Sequence, residues 1–204
     1  ADAPLPWYVL LEVSSLHSEQ AAQEVLEAVL SEALADGMVQ DAVISQSLAQ
    51  FEQLWALREN ISSAQSHEGK NIKHDISVPI SRIGEFIDAA SRQIRQAYPE
   101  ARLIVFGHLG DGNLHFNVAP HARFAQHYDE AFARDEAQVN RLVHDLVAAY
   151  EGAISAEHGI GVLRQAELVR YKQPLELQMM RAIKQALDPQ DRMNPGKLLP
   201  TPHT

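Results

Sequence analysis

The order of apolar and polar residues along the chain predicts strands and helices in alternation. Residues 72–78 alternate strictly, which is the period-two pattern of a strand with one buried face. Its two faces consist of Ile72, His74, Ile76 and Val78 on one side and Lys73, Asp75 and Ser77 on the other. Further strands are predicted at 7–13, 38–44 and 153–156, and a hairpin is predicted at 102–119.

Apolar residues spaced every three or four positions predict helices between these strands. Ser18 is a typical N-cap for a helix that ends at Gly37. Proline at the first helical position opens two more helices, which are predicted at 79–98 and from 174 to a point before Pro189. The remaining helices are predicted at 46–63 and 123–150.

An Asp-Gly pair, Asp111 and Gly112, joins the two strands of the hairpin. Asp-Gly between two β-rich runs is the strongest short-range signal for a two-residue turn. With this turn, His108 would lie directly opposite His115, on the face that also carries Asn117. Two imidazoles placed in this way can share a metal ion.

The combined pattern predicts an α+β fold. Two strand–helix–strand stretches and a central hairpin favour an antiparallel sheet with helices packed on one face, ferredoxin-like in part. We find no linker, repeat or low-complexity stretch, so residues 1–204 are predicted to form one domain.

Composition narrows the function. The net charge of −10 argues against a nucleic-acid surface. The absence of cysteine excludes disulfides, thiolate catalysis and Cys-ligated zinc. No apolar run approaches the roughly 18 residues that span a bilayer, and no signal peptide is visible, so a cytoplasmic location is expected. Because the first methionine is Met38, the chain is expected to be a processed product or a fragment with a partner domain upstream.

Glu157 and His158 stand side by side at the end of a predicted strand, before Gly159. Together with His108 and His115, Glu157 would complete the His–His–Glu set typical of catalytic zinc. The alternative is a pair of histidines stacked on a half-exposed sheet.

Cationic residues could bind an anionic substrate in spite of the acidic chain. Arg58 and Ser62 share a face of a predicted helix, and arginine suits bidentate binding of a carboxylate. Lys73 could add a second positive charge. The alternative for Arg58 is a solvated or ion-paired surface position. Residues 194–197, Asn-Pro-Gly-Lys, form a turn by composition and lack the spacing of a P-loop.

Five motifs occur in an order that is specific for one family. They are Leu-Arg-Glu at 57–59, Lys-His-Asp-Ile-Ser-Val-Pro at 73–79, Gly-His-Leu-Gly-Asp-Gly-Asn-Leu-His at 107–115, Glu-His-Gly at 157–159 and Asn-Pro-Gly-Lys at 194–197. On these motifs the chain resembles the C-terminal domain of the FAD-linked oxidases, flavoproteins of the vanillyl-alcohol-oxidase superfamily. That family includes D-lactate, glycolate and D-2-hydroxyglutarate dehydrogenases. The resemblance covers nearly the whole chain.

The resemblance implies an FAD-dependent dehydrogenase that oxidises a D-2-hydroxy acid to a 2-oxo acid with hydride transfer to the flavin. An N-terminal domain would hold most of the FAD, and this chain would be the substrate-binding and metal-binding lid over the flavin ring. The chain alone is therefore expected to be inactive. The electron acceptor is unidentified, a homodimer is possible, and the family works in the cytosol, at the inner membrane face or in mitochondria.

The resemblance also implies roles for individual residues. His158 would be the general base, and the metal ligands, for zinc or a similar divalent ion, would be His108, His115 and Glu157. The substrate contacts would be Arg58, Ser62, Lys73 and Asn117. Asn194 and Gly196 would lie near the flavin ring. Two residues depart from the pattern of the D-2-hydroxyglutarate branch, since Ser62 stands in place of Thr and His74 in place of an aromatic residue.

Two other functions stay open at this stage. One is a free-standing metal-dependent hydrolase that uses the same three ligands, with His158 activating water. The other is a non-catalytic ferredoxin-like binding module.

Overall fold

The computed structural model describes residues 5–67, 69–120 and 130–200, with side chains described outside 130–134. Backbone contacts divide the chain into two compact units, Ala1–His67 and Glu68–Thr204. The single domain predicted for 1–204 stays a prediction. Among the described residues, no helix is both long and apolar enough to cross a membrane.

The first unit contains three helices, α1 (Glu19–Ala35), α2 (Leu48–Glu59) and α3 (Ile61–His67). The Ser18 hydroxyl accepts the N–H of Ala21 at 3.1 Å, and Gly37 follows the helix with φ +70°. The predicted limits of α1 are therefore confirmed, because both end signals act locally.

Three predictions for the first unit are wrong. Residues 7–13 and 38–44 form no strand, since the described part of this unit offers them no pairing partner, and Trp7, Val9 and Leu11 are exposed. The helix predicted at 46–63 ends at Glu59 because the Asn60 side chain donates back to the Ala56 carbonyl at 2.8 Å. Asparagine commonly competes with the helical backbone in this way.

The second unit is built on three antiparallel strands, β1 (Asp75–Ser77), β2 (Arg102–His108) and β3 (Asn113–Ala119), in the order β1-β3-β2. A single bridge from Ala153 to Ser77 lies on the outer edge of β1. With α4 (Ile83–Ala97) before β2 and α5 (Glu130–Ala149) after β3, this is a βαββα order that ends in one bridge. The ferredoxin-like prediction is confirmed, and the strand predicted at 153–156 is reduced to that bridge.

Two further helices follow, α6 (Gln165–Tyr171) and α7 (Pro174–Leu187). The prediction of α7 is confirmed, with Pro174 in its first turn. The sequence pattern did not predict α6. The helix predicted at 123–150 is observed as α5, and its first residues lie outside the described ranges.

The core fills the space between one sheet face and helices α4 and α5. Phe116 on β3 and Phe86 on α4 are both fully buried and meet edge to face, with ring centroids 6.1 Å apart. Each fully buried side chain of this size contributes about 1.5–3 kcal/mol. The other core members on these elements include Ile76, Leu114, Val118, Ala90, Ile94, Val139, Val143 and Val147.

The hairpin loop differs from the predicted two-residue turn. Leu109–Asp111 forms a 3₁₀ turn, and only Gly112 has a positive φ, of +75°. A type I′ turn would need positive φ at both Asp111 and Gly112. Instead the Asp111 carboxylate accepts the N–H of Asn113 at 3.0 Å, which stabilises a four-residue loop. His108 consequently pairs with Asn113, two positions from the predicted register.

Two histidines are buried on the core side of the sheet. The His74 Nδ1–H donates to the Phe116 carbonyl oxygen at 2.7 Å, and the His144 Nδ1 lies 3.1 Å from a carboxylate oxygen of Glu167. Burial lowers the pKa of His74 to about 3, despite the Phe116 bond and with help from the charges of His144 and Arg164. Burial also lowers the pKa of His144, although its bond to Glu167 opposes the shift.

Acid should therefore destabilise the fold through His74. Its pKa is about 3 in the fold against 6.5 normally, so the unfolded chain binds more protons as the pH drops below 6.5. The free energy of unfolding should fall by about 1.4 kcal/mol per pH unit below that point. Urea unfolding of His74→Phe at about pH 7.5 and about pH 5 should show an acid loss about 2 kcal/mol smaller than that of the unsubstituted chain.

The control is His17→Phe, which replaces an exposed imidazole and should leave the acid loss unchanged. An equal acid loss in His74→Phe and the unsubstituted chain would contradict the assignment of this loss to His74.

Gly112 should be intolerant of any side chain. A Cβ at this position would lie 2.2 Å from the Val78 carbonyl oxygen, and the positive φ adds backbone strain. Gly112→Ala should lower the free energy of unfolding by about 2 kcal/mol or more in urea titrations. Gly110→Ala is the matched control, since its Cβ would meet no atom within 4 Å, and equal losses in both variants would contradict the argument.

Candidate active site

The sheet face opposite the core carries a row of polar side chains. Since side chains alternate along a strand, the burial of Leu114, Phe116 and Val118 turns their neighbours to this other face. Its members are Asp75 on β1, His108 on β2, and Asn113, His115 and Asn117 on β3. Residues 154–161 follow the Ala153 bridge and bring Glu157 and His158 to the same face.

Glu157 contacts two members of the row. The Asn113 amide donates to Glu157 Oε1 at 2.5 Å, and the His108 Nδ1 lies 3.8 Å from the same oxygen. The Glu157 and His108 side chains are both about half exposed. The structure therefore joins two of the three predicted metal ligands, with Asn113 as a third polar group beside them.

His115 takes a different position from the predicted one. In the observed register it pairs with Phe106 on β2 and with Asp75 on β1, so His108 and His115 are not directly opposed. Its ring stacks on Phe106 with centroids 4.7 Å apart, and the centroid of the His158 ring is 6.2 Å away. Over the described ranges of the chain, no three His, Asp or Glu side chains are arranged to hold a metal ion.

His158, the predicted general base, is exposed beside a buried carboxylate. Its side chain is 68% exposed, and its Nδ1 lies 3.5 Å from Oδ2 of Asp75, whose side chain is 3% exposed. Burial alone would raise the pKa of Asp75, but the backbone N–H groups of His158 and Glu157 and the charges of His158 and His115 lower it overall. Asp75 is therefore a carboxylate at neutral pH.

Of the predicted substrate contacts, two belong to the second unit. Lys73 precedes β1, is exposed, and shares the strand face of Asp75. Asn117 is buried, and its side-chain oxygen accepts the N–H of His74 at 3.2 Å, so this oxygen helps to hold β1 to β3. A substrate contact of Asn117 stays a prediction.

The other two predicted substrate contacts, Arg58 and Ser62, belong to the first unit. Arg58 lies in the last turn of α2 and Ser62 lies on α3. The single helix that was predicted to place both on one face is interrupted at Asn60. Their roles stay predictions.

The predicted flavin-side residues lie in an exposed loop after α7. Asn194 and Gly196 both have positive φ, of +50° and +64°. The Gly196 carbonyl accepts the side-chain amide of Gln165 on α6, and the Leu198 N–H donates to the Gly161 carbonyl at 2.9 Å. This loop is thereby tied to the loop that carries His158.

Three residues of the site carried no predicted role. Asp75 lies within the 73–79 motif and on the face of Lys73, which was the available signal for it. Asn113 lies beside Glu157 because of the observed β2–β3 register, which differs from the predicted one. Arg164, whose guanidinium donates to the carbonyls of Ile154 and Lys73, had no signal in the sequence.

Comparison with families of known proteins matches residues 1–198 to the FAD linked oxidases, C-terminal domain. Curated relatives include D-2-hydroxyglutarate dehydrogenase of Stutzerimonas stutzeri, 39% identical over 95% of this chain and 40% of the relative. The enzyme of that name from Xanthomonas citri is 39% identical over 96% of this chain and 40% of its own length. The mitochondrial D-2-hydroxyglutarate dehydrogenase of Bos taurus is 35% identical over 96% of this chain and 34% of its own length.

The chain thus spans 40% or less of the length of these relatives. The family match covers nearly all of the chain, and the motifs at 107–115 and 157–159 meet on one sheet face, as a shared site requires. The chain belongs to the family of FAD-linked oxidase C-terminal domains.

Proposed function

We propose that this chain is the substrate-binding domain of an FAD-dependent dehydrogenase that oxidises a D-2-hydroxy acid to the 2-oxo acid. The observation that carries the proposal is the exposed His158 imidazole, held 3.5 Å from the buried Asp75 carboxylate. An imidazole open to a ligand on one side and next to a carboxylate on the other suits proton abstraction. Family membership favours this function over a metal-dependent hydrolase or a non-catalytic binding module.

The substrate class follows from the relatives and from charge. Relatives at 35–39% identity are named D-2-hydroxyglutarate dehydrogenases. A substrate carboxylate would be bound by Lys73, which shares the strand face of Asp75. Substrate contacts of Arg58 and Ser62 stay predictions. The positive charge of Lys73 offsets the negative charge of Asp75 near the bound anion.

In the proposed reaction His158 takes the proton of the substrate hydroxyl while the hydrogen on the α-carbon leaves with its electron pair. The two losses convert the alcohol carbon into a carbonyl. The Asp75 carboxylate, 3.5 Å from Nδ1 of the ring, offsets the positive charge that His158 gains with this proton.

FAD, when bound, supplies the two-electron acceptor for that hydride. Asn194 and Gly196 would lie near the flavin ring, in an exposed loop that is tied through Gly161 to the loop of His158. That domain is the N-terminal FAD-binding domain expected from the family. The proposal also includes two partners of the full-length protein: an electron acceptor that reoxidises the flavin, and a second copy of the protein in a homodimer.

A divalent ion, zinc or a similar metal, at His108, His115 and Glu157 stays a prediction. Its support is that all three side chains lie on one face and that His108 approaches Glu157. His115 stacks on Phe106 instead of turning toward that pair. The steps above therefore use no metal.

We propose a cytoplasmic location for this protein, or a mitochondrial one if the protein is eukaryotic. The Bos taurus and Arabidopsis thaliana relatives carry the word mitochondrial in their names.

Substitution of His158 should remove turnover without removing flavin. In the full-length flavoprotein, D-2-hydroxyglutarate should bleach the flavin absorbance and reduce an artificial acceptor dye, whereas the L-enantiomer should not. His158→Ala should lower kcat about 100-fold or more. His17→Ala, an exposed histidine of the first unit, is the control. Unbleached flavin with every D-2-hydroxy acid tried would overturn the proposed function.

Elemental analysis tests the metal prediction independently of activity. The purified full-length protein should contain about one divalent ion per chain, lost in His108→Ala and in Glu157→Ala and retained in His67→Ala. A protein without metal after incubation with zinc or manganese, or equal metal content in all variants, would contradict this ligand set.

A further inference from the structure

Three consecutive peptide N–H groups in the loop of the site converge on one residue, Asp75. The N–H of Ala156 donates to the Asp75 backbone carbonyl at 3.1 Å. The N–H groups of Glu157 and His158 donate to Oδ2 of the Asp75 side chain at 2.9 and 2.8 Å. Each bond spans more than 80 residues of sequence, so local structure does not account for them.

The same carboxylate oxygen also faces the His158 ring. Oδ2 lies 3.5 Å from Nδ1, while 68% of the His158 side chain remains exposed. One oxygen atom thus fixes both the peptide on which His158 stands and the side of the ring that points inward. In the proposed reaction the other ring nitrogen, Nε2, would take the proton of the substrate.

Asp75 is itself held firmly. It is 2% exposed, and β1 pairs it with His115 of the central strand β3. The Arg164 guanidinium donates to the carbonyl of Lys73, two residues before Asp75, at 3.2 Å, and to the Ile154 carbonyl at 2.7 Å. These two bonds connect the residues just before β1 to the start of the loop, independently of the Asp75 side chain. Groups that must hold a reacting side chain are most effective on such rigid elements.

We propose that Asp75 is the positioning residue of the site. Its carboxylate holds the backbone of Glu157 and His158 against the sheet through two hydrogen bonds and orients the His158 ring toward the substrate. The catalytic part of this proposal rests on the proposed function. A displacement of about 1 Å in a reacting group costs about 100-fold in rate, so a loop released from this oxygen should lose turnover while substrate binding through Lys73 persists.

Amide hydrogen exchange in this chain tests the anchoring directly. In Asp75→Ala, the amides of Glu157 and His158 should exchange at least about tenfold faster than in the unsubstituted chain, since an exposed amide loses its protection. The amide of Ala156 bonds to the Asp75 backbone and should keep its protection, which makes it an internal control for folding. Asp75→Asn retains one acceptor oxygen and should keep most of the protection.

Kinetics of the full-length flavoprotein test the consequence. Asp75→Ala should lower kcat about 100-fold with KM changed about twofold or less. Asp75→Asn should recover part of kcat because the loop is still held. The control is Glu176→Ala, which also removes a carboxylate that accepts a backbone N–H, at 2.9 Å from Gln173 in the first turn of α7, and which should leave kcat unchanged.

The possible outcomes separate the two proposals. Unchanged exchange at Glu157 and His158 in Asp75→Ala overturns the anchoring, whatever the activity. Faster exchange with unchanged kcat overturns the positioning role and leaves the anchoring. An unsubstituted flavoprotein that oxidises no D-2-hydroxy acid overturns the proposed function and the catalytic part with it, while the exchange result still decides whether Asp75 holds the loop.

Discussion

The second unit depends on the packing of one sheet face against helices α4 and α5. Phe86 and Phe116 meet at its centre, and both are fully buried. Once this face is closed, the period of two along each strand fixes which residues lie on the other face. The polar row therefore occupies positions that the core does not use, so it removes no apolar area from the core. The alternation that places apolar side chains in the core also places the polar groups of the site together on the opposite face.

Features that are encoded locally could be predicted from the sequence. The alternation at 72–78 predicted both faces of β1, with Ile76 in the core and Asp75 opposite. Helix ends were predictable where a cap or a proline marks them, as at Ser18 and Pro174, because those signals act within one turn. The family motifs predicted that His108, Glu157 and His158 share a site, and the structure brings these three to one face.

Features that depend on distant partners could not be predicted. Apolar residues at 7–13 suit a strand, but a strand requires a neighbour to pair with, and nothing in a short pattern supplies one. The hairpin register depends on a side chain, Asp111, that competes for the N–H of Asn113. The contact of Asp75 with His158 joins residues 83 positions apart, so their proximity emerges only from the fold.

The single bridge at Ala153 has a consequence for the residues that follow it. A complete fourth strand beside β1 would commit each residue after Ala153 to the ladder, and its side chains would be divided between the two faces. Because the pairing stops after one bridge, the alternation of a strand does not apply to the residues that follow. The chain can turn directly after Ala153 and place neighbouring residues on the same side of the sheet. The hydrogen bonds that hold residues 156–158 converge instead on a single residue of β1, Asp75, so the two residues between Ala153 and Ala156 form a short span whose length sets where Glu157 and His158 meet the sheet.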